Sequence, residues 1–104
     1  MIKYEFHYDN NEINKIVIKG HALFGNYGND IICASVSTMV ILTINAITKL
    51  GYENNIKHII KDGYLELDVI VKDKTVNGLL ENLLYSLNDL QQQYPSHLKS
   101  KRSK

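Results

Sequence analysis

A chain of 104 residues with 44% hydrophobic and 22% charged side chains has the makings of one ordered core, which excludes a two-domain enzyme and a disordered segment alike. Its formal net charge of +1 supplies no global attraction to nucleic acid, so direct nucleic-acid binding is not expected, although Lys99, Lys101, Arg102 and Lys104 make the last six residues locally basic. One cysteine, Cys33, cannot close an internal disulfide, so the cytoplasm is the expected compartment.

Residues 2–8 set Ile2, Tyr4, Phe6 and Tyr8 against Lys3, Glu5 and His7, the two-residue period of a strand rather than the order of a secretory signal. Asp9, Asn10, Asn11 and Glu12 have turn chemistry, and residues 13–19 are rich in β-branched side chains, so an antiparallel hairpin is expected. Its second strand delivers Gly20 and His21. Residues 22–29 include Gly25, Asn26, Gly28 and Asn29 and lack apolar periodicity, which marks a loop able to change shape around a ligand. Asn29 or Asp30 then caps a helix over residues 31–50, stopped by Gly51.

That helix is uncharged from residue 31 to 48, but Ser35, Ser37, Thr38, Thr43, Asn45 and Thr48 interrupt it, so no membrane span is expected. Its apolar residues occupy more than one face: Ile32, Val36, Met39, Val40 and Ile47 on one side, Ile31, Leu42 and Ile44 on others. Such a helix needs cover nearly all round, from the sheet, a second helix and a second subunit. Asp62-Gly63 separates residues 56–60 from 64–71, a second hairpin. Val76, Leu79, Leu80, Leu83, Leu84, Leu87, Leu90 and Tyr94 recur at three- and four-residue steps before Pro95, giving an amphipathic helix. The predicted fold is α/β of the α+β type: a two-layer sandwich of ββαββα order, with a four-stranded sheet and both helices on one face. Residues 1–95 form the domain and residues 96–104 a basic, flexible tail.

The chemistry concentrates between Gly20 and Ser37. A cysteine in the first helical turn feels the positive end of the macrodipole, and a nearby imidazolium further favours its thiolate. Cys33 and His21 are therefore candidates for nucleophile and general base of acyl transfer. Taken singly, Cys33 also reads as a packed core thiol and His21 as a turn histidine bonded to a carbonyl; together they fit catalysis. Asp30 is open between helix cap and a group orienting His21. Ser37, one turn after Cys33, faces the site or allows close helix packing, and Phe24 and Tyr27 either meet apolar substrate side chains or pin the loop. His7, His58 and His97 fall in separate elements without ligand spacing, so no metal is expected, and nothing calls for an organic cofactor.

The run Gly20-His21-Ala22, Gly28, Asp30 and Cys33-Ala34-Ser35 leading to Ser37 resembles the active-site segment of the ribosomal-processing cysteine proteases, the Prp family. The resemblance implies a homodimeric endopeptidase that removes a short N-terminal extension from a large-subunit ribosomal protein precursor. Cys33 would be its nucleophile, His21 its base, and Asp30, Gly20 and Ser37 supporting positions. Ser35 departs from the family's usual Ala or Gly. Two other readings stay open: a non-enzymatic ribosome-associated binding module, in which Cys33 merely packs, and a redox-sensing thiol, which needs an intermolecular disulfide.

Overall fold

The computed structural model describes residues 1–20 and 31–101. Strand β1 (Ile2–Asp9) turns back into β2 (Glu12–Gly20) through Asn10 and Asn11, both left-handed at φ 51° and 65°. Two successive positive φ values match the right-handed twist of paired strands, and asparagine tolerates them better than other side-chain-bearing residues. Helix α1 (Ile31–Lys49) ends ahead of Gly51 at φ 90°, and a 3-10 turn at Glu53–Asn55 leads into β3 (Ile56–Lys61) and β4 (Tyr64–Val69). In the β3–β4 turn only Gly63 is left-handed, at φ 76°. Helix α2 (Lys74–Gln93) is capped by Asp73, whose carboxylate accepts from the amides of Thr75 and Val76 at 2.8 and 3.3 Å.

The sheet has five strands where the sequence pattern predicts four, and the order is ββαββαβ. Strand β5 (Leu98–Ser100) lies inside the segment read as a tail and runs parallel to β1, so the sheet order is β3-β4-β2-β1-β5. Two backbone bonds clamp it: the Ile2 amide donates to the His97 carbonyl at 2.9 Å, and the Lys101 amide donates to the Tyr4 carbonyl at 2.8 Å. Leu98, fully buried, supplies the apolar anchor.

Both helices cover one face. Ile2, Tyr4 and Phe6 of β1, Ile16 and Ile18 of β2, and Leu65 and Leu67 of β4 point into the core with Val76, Leu80, Leu83, Leu87 and Leu90 of α2. Burying each such side chain contributes on the order of 1.5–3 kcal/mol. A bulge leaves Asn14 unpaired, because His7 faces Lys15 while Tyr8 faces Ile13. The extra residue turns Ile13 inward beside Ile16 despite their three-residue spacing, and the Ile13 amide donates to Asn77 Oδ1 of α2 at 2.8 Å. Tyr4 reaches through the core so that its hydroxyl meets the Asn88 and Gln91 side chains of α2.

Along α1 the buried set is Ile32, Cys33, Val36, Val40, Ile44 and Ile47. Ile44 thus joins the core stripe instead of a separate face, while Ile31, Ile41 and Leu42 are exposed in the single chain. By length and composition α1 could cross a membrane; its buried stripe here seats it against the core, as in the core helix of a globular fold.

Two outcomes check this architecture. Leu98→Ala is expected to cost about 2–5 kcal/mol in chemical unfolding, whereas a frayed tail would leave stability unchanged. Glu66 is held below the ordinary carboxyl value of 4.5, first by the Tyr64 hydroxyl and then by the Lys15 ammonium. A lowered folded value means that its stabilisation is present above pH 4.5 and lost as pH falls through that folded value. Glu66→Gln is therefore expected to be less stable than the parent near neutrality, with the gap closing on acidification.

Candidate active site

Cys33 is the third residue of α1 and the first member of the stripe Cys33, Val36, Val40, Ile44, Ile47. Steps of three and four residues keep these side chains on one helical face, so the packing that holds α1 on the sheet also fixes where the sulfur sits. Cys33 is 5% exposed and is part of the buried hydrophobic core. The amides of this first turn lie ahead of the helical i to i−4 ladder and are directed toward the N-terminus, where the macrodipole is positive. No acidic side chain occupies that turn within α1, and Lys49 closes the other end.

Ser37, half-buried, follows Cys33 by one turn. Ser35 donates its hydroxyl to the Ile31 carbonyl at 2.8 Å. The residue that departs from the family pattern is thus tied back to its own helix, and its hydroxyl is directed to that carbonyl.

Gly20 ends β2, in the centre of the sheet. A Cβ there would lie 2.6 Å from both Ile2 Cα and the Met1 carbonyl, so backbone closeness demands glycine at this position. Its amide donates to the Gly63 carbonyl at 3.0 Å, tying the end of β2 to the β3–β4 turn. The segment joining Gly20 to Ile31 therefore starts from a pinned strand end and finishes at the first residue of α1. His21, Phe24, Tyr27 and Asp30, and the loop expected over residues 22–29, lie outside the described residues. The structure accordingly places Gly20, Cys33 and Ser37 on their elements.

His58 pairs with Leu67 and so shares the helix-bearing face; it is exposed because β3 is an edge strand. The Asp73 cap escaped the sequence reading, although an Asp three residues ahead of the apolar Val76 carries the usual cap signal.

The family described as "Cysteine protease Prp" matches residues 1–99. Relatives named ribosomal processing cysteine protease Prp include one from Staphylococcus aureus, 27% identical over 93 residues with 88% of each chain covered, and one from Bacillus subtilis, 31% identical over 87 residues with 77% of each covered. Among solved structures, an essential ribosomal processing protease Prp from S. aureus, in complex with a covalently linked product peptide, superposes with a TM-score of 0.82 at 23% identity, covering 99% of this chain and all of that one. A Streptococcus mutans protein superposes with a TM-score of 0.78 at 27% identity, covering 98% and 93%. The family match over nearly the whole chain and the shared mixed sheet with two helices lead to one conclusion: this chain belongs to the Prp family of cysteine proteases.

Proposed function

We propose that the chain is a cytoplasmic endopeptidase that removes a short N-terminal extension from a bacterial large-subunit ribosomal protein precursor, with Cys33 as nucleophile and His21 as general base. The observation that carries this reading is the place of the only cysteine: the first turn of α1, at the head of the stripe that anchors the helix. The names of the relatives, which describe ribosomal processing, support the substrate class. The S. aureus complex with a covalently linked product peptide supports a covalent route.

In the proposed reaction His21 takes the thiol proton and Cys33 Sγ bonds to the scissile carbonyl carbon, whose oxygen becomes an oxyanion. The positive end of α1 receives that charge; removing one donor from such a site typically costs about 3 kcal/mol of transition-state stabilisation. Collapse breaks the C–N bond, and His21 gives its proton to the departing amine. Water, deprotonated by His21, then attacks the thioester; the carboxylate product leaves and the thiol is restored. Each half of the cycle thus returns the imidazole to its starting state. No metal or organic cofactor enters these steps.

Asp30 is assigned to capping α1 or orienting His21, Gly20 and Ser37 to supporting positions, and Phe24 and Tyr27 to apolar contacts with substrate. One catalytic domain carries the activity. It works as a homodimer, with exposed Ile31, Ile41 and Leu42 on the outer side of α1 available to a second subunit. The binding-module reading requires Cys33→Ser to retain all function.

Incubation with a ribosomal protein precursor followed by mass spectrometry is expected to show one N-terminal cut by the parent protein. The loss should be at least a thousandfold for Cys33→Ala and for His21→Ala; cleavage retained by Cys33→Ala rejects the assignment. Iodoacetamide labelling of Cys33 should rise with a midpoint well below the ordinary thiol value of about 8.5, and a midpoint at that value indicates an inert packed thiol.

A further inference from the structure

The face of the sheet turned away from the helices carries a transverse row of lysines that only the strand register brings together. Lys3 of β1 is opposite Lys19 of β2 and beside Lys99 of β5; Lys19 is opposite Tyr64 of β4, and Tyr64 is opposite Lys61 of β3. The row therefore reads Lys99, Lys3, Lys19, Tyr64, Lys61 across all five strands, spanning about 19 Å at the usual strand spacing. All four lysines are exposed. It lies one residue inside the end of the sheet at which β2 stops at Gly20.

Like charges directly opposite on neighbouring strands destabilise a sheet, and two other lysines of this face are neutralised by carboxylates. Lys15 is paired with Glu66 and Asp68 at 3.2 and 3.6 Å, and Lys101 with Glu5 at 3.7 Å. None of the four row lysines is in an ion pair among the described residues, and Asp62 sits in the turn beyond the row's end. The next row inward contains Glu5 and Glu66, so the cationic track is bounded by carboxylates. The overall charge of +1 averages away a strongly one-signed line.

We propose that this row is a docking track for single-stranded RNA, with the phosphodiester backbone lying across the strands. A polyanion with one charge at every link complements an evenly spaced cationic row. The aromatic ring in the row distinguishes RNA from an acidic peptide: Tyr64 stands between Lys19 and Lys61, its hydroxyl donating to Glu66 Oε1 at 2.7 Å, which orients a ring on which a base can stack. The choice of RNA over DNA rests on the proposed ribosomal substrate. On that reading, RNA held beside the end of β2 brings a ribosome-bound precursor near the candidate site.

The test is fluorescence anisotropy of a labelled 20-nucleotide single-stranded RNA, with the full chain, from 50 to 200 mM salt. Single-strand binding through four lysines is expected to show a log–log salt slope of about −2.8. The double variant Lys3→Gln/Lys99→Gln should shallow that slope by about 1.4 and weaken binding about tenfold at low salt. Lys57→Gln, on the same face but outside the row, should bind as the parent does. Cleavage of a short RNA-free precursor peptide is measured in parallel and should be unchanged by the double variant, so a failure of the protease assignment is distinguishable from a failure of RNA docking. Thermal melting at low salt should show the double variant at least as stable as the parent. No saturable RNA binding, an unaltered slope in the double variant, or tighter binding of polyglutamate than of RNA overturns the proposal.

Discussion

The seating of α1 governs everything else about this protein. Val36, Val40, Ile44 and Ile47 press the helix onto the sheet, and the same three- and four-residue rhythm carries back to Cys33. A helix that slipped or rotated would have to expose those aliphatic groups, at a cost on the order of 1.5–3 kcal/mol each. The sulfur thereby inherits the rigidity of the core, of which Cys33 is a part. This arrangement balances two opposing demands. Burial at 5% exposure opposes a charged thiolate, while the helix N-terminus favours it.

The sheet serves this seating from its other side. Central strand β2 ends at Gly20, where the chain passes so near Ile2 and Met1 that no side chain fits. A hydrogen bond from the Gly20 amide to Gly63 ties that end to the second hairpin. The pinned end of β2 at Gly20 and the first residue of α1, Ile31, bracket the segment containing His21. The helix start that holds Cys33 and the lysine-bearing face belong to different layers of the fold, so the proposed chemistry and the proposed docking are separable.

Much of the fold is legible from local pattern because its signals are local. Alternation in residues 2–8, the Asn10-Asn11 turn, Asp62-Gly63 and the leucine rhythm of α2 each declare themselves within a short window, and all are present in the structure. Strand β5 is not legible: Leu98 stands alone between His97 and Lys99, too short for periodicity, and only the edge of β1 makes it a strand. The bulge at Asn14 is hidden because its register depends on α2, whose Asn77 receives the Ile13 amide. The coverage of α1 is likewise a tertiary matter, as Ile44 joining the buried stripe illustrates. The candidate site is read from sequence for a different reason: a lone cysteine follows a Gly-His pair and a run containing Gly25, Asn26, Gly28 and Asn29, residue types whose chemistry does not depend on periodicity. The lysine row is illegible in sequence, since residues 3, 19, 61 and 99 meet only through four separate pairings.

The most direct measurement of the central claim is acid-quenched intact-mass spectrometry during turnover of a precursor peptide, followed by mapping of any adduct. The account expects a transient species heavier by the N-terminal product less one water, with the added mass on Cys33. Turnover with the adduct on another residue, or with none at any quench time even when a slowly hydrolysed ester substrate is used, would contradict it.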